Sequence, residues 1–119
     1  MTFAIASLPI VATVGFAVDY SHANSVKAAM QGALDSTALM LSRDAATLSS
    51  ADLQTKATSY FNSLFTRPEA KNITITASYT TTGGSQVRVN GAADVPTSFL
   101  GVIGYQNITV NGTATAAWG

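Results

Sequence analysis

The chain passes through three regimes of apolar spacing: an uncharged apolar block, a helical period of three to four, and a strand period of two. Met1 to Val18 carry no ionisable side chain. As a helix this block covers about 27 Å at roughly 1.5 Å per residue, close to the roughly 30 Å hydrocarbon core of a bilayer. Ser7, Pro9, Thr13 and Gly15 interrupt its apolarity, and Pro9 frees a backbone carbonyl and kinks or loosens the helix. Three readings compete. A secretory signal lacks its positive n-region here. A buried core helix is the plain alternative. The third is a helix held first in a membrane and later packed against identical helices. Ala4, Ala6, Ser7, Ala12, Gly15 and Ala17 suit that use, because small residues let helix backbones approach closely.

Beyond Asp19 the spacing becomes amphipathic. Val26, Met30, Leu34, Thr37 or Ala38, Leu41, Ala45 and Leu48 recur on one helical face, while Lys27, Gln31, Asp35, Ser42 and Arg43 fall mainly off it. One helix over 1–48 would be roughly 70 Å long, longer than a domain of this size is wide, so its first half projects. Ser49, three residues before Asp52, marks an N-cap and restarts a helix over 50–65. Leu53, Ala57, Tyr60 or Phe61, and Leu64 form its apolar stripe, and Pro68 ends it. Period-two alternation then predicts strands over 72–80, 85–93 and 106–118, the first two joined at Gly83-Gly84. "VPTSFLGVIG" fits neither period, and Thr97 is expected to cap one short turn that Gly101 or Gly104 stops. The expected fold is α+β: a long N-terminal helix, then a globular part over 49–119 with a short helix on an antiparallel sheet.

Composition sharpens this picture. Charged residues make up 10% of the 119, against roughly 25% in ordinary soluble proteins, beside 47% apolar residues. Lipid or further copies of the chain are therefore expected to cover part of the surface. Net charge is zero, with six basic and six acidic residues, which leaves no basic surface for nucleic acid. There is no cysteine, and one histidine. His22 lies three residues after Asp19, a local pair at a membrane boundary rather than part of a catalytic dyad. Scattered carboxylates give no metal-ligand spacing, so no catalytic, metal or cofactor site is expected. Asn72, Asn107 and Asn111 begin acceptor patterns for N-glycosylation, which threonine-rich strands produce by chance.

The stretch "FAIASLPIVATVGFAVDYSHANSVKAAMQGALDSTALML", with Pro9, "AVDY" at Ala17 to Tyr20 and "QGALDSTAL" at Gln31 to Leu39, resembles the N-terminal region of TadE/TadG-like proteins of tight-adherence (Flp-type) pili. "GAADVPTSFLGVIGYQNITVNGTATA" is similar, more weakly, to the C-terminal part of small members. The resemblance implies a bacterial, pilin-like envelope protein, not an enzyme. It also implies a leader peptidase that cuts just before the apolar helix; Met1 is either a start-codon product or, after such a cut, the first mature residue. Ile5 then stands where type IV pilins and many relatives carry a glutamate, which leaves helix packing to register the subunits. The implied partners are identical subunits in a helical filament, the inner membrane before assembly, and the pilus secretion and assembly machinery. Phe3, Ile5, Leu8, Pro9, Val11, Val14, Gly15 and Val18 are the expected subunit contacts, with Asp19, Tyr20 and His22 at the membrane boundary. The implied location is the inner membrane, then a cell-surface filament serving adhesion. A minor pseudopilin that primes or tips a pilus, and a membrane-tethered binding module, share these features.

Overall fold

The computed structural model describes the backbone of residues 2–118 and the side chains of residues 14–118. A 41-residue helix α1, Thr2–Ser42, leads into a 3-10 turn, Ala45–Thr47, and a second helix α2, Ser50–Leu64. Strands β1 (Lys71–Thr80), β2 (Ser85–Pro96) and β3 (Asn107–Trp118) follow, with a second 3-10 turn, Leu100–Ile103, between β2 and β3. The architecture is α+β, with three antiparallel strands in the order β1-β2-β3. The molecule measures 69 × 25 × 18 Å. Its length follows from α1, which spans about 60 Å at the usual rise per residue.

The expected helix to Leu48 stops at Ser42. Asp44 N–H donates to the Leu41 carbonyl and Leu48 N–H to that of Ala45, tightening the chain into a 3-10 turn. With three residues per turn, Ala45 and Leu48 still reach the core, which is why the apolar spacing outlasts the α-helix. Ser49 then caps α2, its hydroxyl accepting from Asp52 N–H at 3.1 Å. The α2 stripe is Leu53, Ala57 and Phe61. It closes on Phe65 rather than on Leu64, which is exposed. Phe65 is extended, past the helix end, and turns its ring onto Phe61 at 5.0 Å.

The turn between β1 and β2 uses Gly83 and Gly84 at φ +74° and +114°, conformations that a side chain would strain. β2 runs beyond the expected Ala93 because Val95 keeps the period and pairs with Ile108. Pro96 is tolerated at the strand's last position. One face of the sheet carries Val87, Val89, Ala93, Val95, Val110, Ala114 and Ala116 into the core against Val26, Met30, Leu34 and Leu41 of α1 and the α2 stripe. Thr74, Thr76, Asn90, Asn111 and Thr113 stand on the opposite, solvated face.

Gly91 and Gly112 sit opposite each other in the ladder, beneath Leu34 and Gln31 of α1. A Cβ on Gly91 would lie 3.2 Å from Leu34 Cδ2, and one on Gly112 2.8 Å from Gln31 Oε1. Both outer strands are also covered by glutamine amides. Gln31 Nε2 donates to the Thr113 carbonyl of β3, while Gln54 of α2 donates to the Ile75 carbonyl and accepts from Ala77 N–H of β1. Edge groups that would otherwise template a further strand are thereby occupied.

Candidate assembly face

The N-terminal half of α1 meets the globular part at Gly15 and Asp19. Phe99 lies over Gly15 so closely that a Cβ there would approach Phe99 Cβ to 2.6 Å. One turn on, the Asp19 carboxylate accepts three backbone N–H groups of the 98–100 segment. Ser98 N donates to Oδ1 at 2.8 Å, and Phe99 N and Leu100 N donate to Oδ2 at 3.0 and 2.7 Å. Asp19 is 5% exposed, yet burial, which alone would raise its pKa, is outweighed. The N–H groups of Leu100, Ser98 and Phe99, with His22 adding least, hold the carboxyl below its ordinary value. An anion on successive N–H groups at the start of a helical turn is a favourable arrangement. The remaining loop is closed by its own bonds: Thr97 N–H donates to Gln106 O, and Tyr105 N–H to Leu100 O.

This clamp presents an apolar surface. Val14, Phe16, Val18 and Tyr20 on α1 are 58%, 53%, 47% and 52% exposed, and Phe16 stacks on Tyr20 at 5.8 Å. Beside them, Val102, Ile103 and Tyr105 are 87%, 63% and 66% exposed. A groove of about 530 Å³ runs between the two, lined by Phe16, Tyr20, Leu100, Ile103, Tyr105 and Ile108, with Asn107 as its one polar residue.

The sequence-based expectations divide here. Phe3, Ile5, Leu8, Pro9 and Val11 lie outside the residues whose side chains are described. Val14 and Val18 are free at the surface, whereas Gly15 is taken up by Phe99 of its own chain and is not open to another copy. Asp19 is not principally a partner of His22. It anchors the 98–100 loop, and His22 instead lies 3.8 Å from Glu69, which Arg67 also meets at 3.0 Å. Thr97 does not cap the short turn, since its hydroxyl donates to the Tyr105 carbonyl. Gly104, at φ +100°, does end it. Phe99, Val102, Ile103 and Tyr105 are absent from the expected contacts. Their signal is the run of "VPTSFLGVIGYQ" without a charge or a regular period.

Among the described residues, no group of three His, Cys, Asp or Glu side chains could hold a metal ion. No helix of these residues is long and apolar enough to cross a membrane. The expected membrane-spanning block, 1–18, falls mostly outside the described side chains and draws no support from them.

Comparison with known proteins reaches the same helix. Residues 1–43 match the family model described as "Putative Flp pilus-assembly TadE/G-like", and the match stops one residue past the end of α1. The resemblance is thus borne out over α1, while the β-sheet lies outside the matched residues. No curated protein and no solved structure matches the chain.

Proposed function

We propose, from the TadE/G-like match of residues 1–43, that this chain is a structural subunit of a bacterial surface filament, polymerising through the N-terminal half of α1. One observation carries the reading: Val14, Phe16, Val18 and Tyr20 leave the globular part exposed around a helix that continues N-terminally without a charge. Such a helix needs an apolar environment. The inner membrane supplies it before assembly, and neighbouring helices supply it in the filament. Moving from lipid to protein gains little from leaving water, so close packing of small residues drives the exchange. Adhesion is the downstream role. A tether for a binding module would need only one apolar environment and would not have to polymerise.

Val14→Asp tests this reading. The side chain is 58% exposed and outside the core, so the globular part keeps its fold, read by circular dichroism. Filaments sheared from cells carrying the variant should be absent, because a carboxylate in the helix core is left unpaired and desolvated. Normal filaments from the variant would sink the assignment. The same preparation from unaltered cells separates a major subunit, which dominates the filament by mass, from a priming or tip subunit present in trace.

A further inference from the structure

Two charge-free stretches of the sequence, 1–18 and 95–119, meet at one end of the globular part. Between them stands a single carboxylate, Asp19, already bound by three backbone N–H groups. The groove along α1 and β3 does not end with its apolar part. It continues into a smaller one lined by Tyr20, Asn24, Lys27 and Asn111, the two sharing Tyr20 and Ile108.

Phe16, Tyr20, Asn24 and Lys27 are spaced four, four and three apart, so they share one face of α1 over about 16 Å. Read along that face, the order is hydrocarbon, aromatic hydroxyl, amide, cation. Alongside, Tyr105 and Ile108 line the apolar end, and Thr109 of β3 lines the polar end. This is the order of polarity met on leaving a bilayer: apolar side chains in the acyl region, tyrosines at the interface, and lysine at the level of the phosphates. Among the described residues, Lys27 is exposed and pairs with no carboxylate. It is therefore free to meet an anionic headgroup.

The shape agrees with the polarity. Val102 and Ile103 stand at the tip of a one-turn loop, 87% and 63% exposed. That is a convex apolar point, and a fluid lipid layer accepts it without a complementary pocket. The loop is held rigid by Asp19 and by Gly104 in its left-handed conformation.

We propose that the 98–105 loop and the Phe16–Tyr20 face form a lipid-contacting foot, which seats the globular part on the surface of an anionic bilayer before assembly. The foot adds to the anchoring proposed above for residues 1–18 and rests on it. It fixes the tilt and rotation of the head relative to the membrane, with Lys27 at the phosphates and Val102 in the acyl boundary.

The absence of cysteine permits single nitroxide labels on the full chain. Val102→Cys, Val14→Cys and Thr76→Cys, the last on the solvated sheet face, are reconstituted into vesicles of phosphatidylcholine and phosphatidylglycerol. Collision with oxygen is compared with collision with a water-soluble nickel chelate. The expected result is a severalfold rise in the oxygen-to-nickel ratio at residues 102 and 14 on adding vesicles, with none at residue 76. Lys27→Glu should reduce the rise at residue 102 in these vesicles, but not in phosphatidylcholine alone. If residue 14 enters lipid while residue 102 stays as aqueous as residue 76, the foot is overturned and the anchor stands. If neither enters lipid, the anchoring reading fails as well. Shielding of residue 102 that appears without vesicles and grows with protein concentration overturns the foot in favour of a second copy on the same surface.

Discussion

At the scale of single residues, Asp19 connects the two ends of the chain. Its partners are 79 to 81 positions away and are main-chain N–H groups, which carry no residue-type signature in a sequence. Replacing it by asparagine keeps one acceptor oxygen but loses the second and the charge. Amide exchange at Ser98, Phe99 and Leu100 should accelerate severalfold in Asp19→Asn, while the amides of β2 stay protected. The pH dependence has a definite sign. The folded carboxyl titrates below the 3.8 of an unperturbed aspartate, so its contribution is complete above that value and is lost as pH falls through the lower, folded one. Protection of the three amides relative to intrinsic exchange should therefore decline on acidification through this window, and the asparagine variant should not show the decline. Asp94, near the end of β2 and held low by the Asn72 and Thr109 side chains, titrates in the same direction but binds no amide of the loop. Reading the loop amides individually separates the two.

At the scale of elements, spacing reveals most of the architecture and hides how its edges are finished. The face from Val26 to Leu41, the α2 stripe and the alternating valines of β2 all lie where their periods put them, since each must bury one side. Periods say nothing of polar groups at the ends of a sheet. Gln54 looks like any polar residue on the off-face of α2, yet its amide meets Ile75 O and Ala77 N–H as a further strand would. Gly91 and Gly112 fall inside the expected strands, where alternation gives no reason for a glycine; their role is to admit Leu34 and Gln31 of α1. Gln54→Ala removes both hydrogen bonds and opens β1 to water. A loss of about 1–2 kcal/mol in unfolding free energy is expected, the net worth of two such bonds in a part-exposed setting. A urea titration checks it: a midpoint unchanged from the parent would show that the amide contributes nothing to the edge. The bared strand should also raise the tendency to associate at high concentration, seen by light scattering.

At the scale of the whole molecule, the question is where the globular head ends and the uncharged part of α1 begins. The buried apolar core begins at Ala23 among the described residues, so the head's stability does not rest on the uncharged block. The contacts at Gly15 and Asp19 reach further back, and they order the 98–105 loop rather than the core. Spacing alone puts the boundary near Asp19, because that is where amphipathic period replaces continuous apolarity. It cannot show that Gly15 belongs to the head, since Phe99 is remote in sequence. A chain shortened to begin at Val14 should therefore fold, remain monomeric and unfold at a urea midpoint close to that of one beginning at Ser21. The two should differ in the loop. Amides 98–100 stay protected in the longer version and exchange freely in the shorter one, which lacks both the glycine seat and the carboxylate. Filaments formed by the chain beginning at Val14 would remove residues 1–13 from any necessary part in the polymer core. Failure of that chain to fold would move the head's boundary towards the N-terminus.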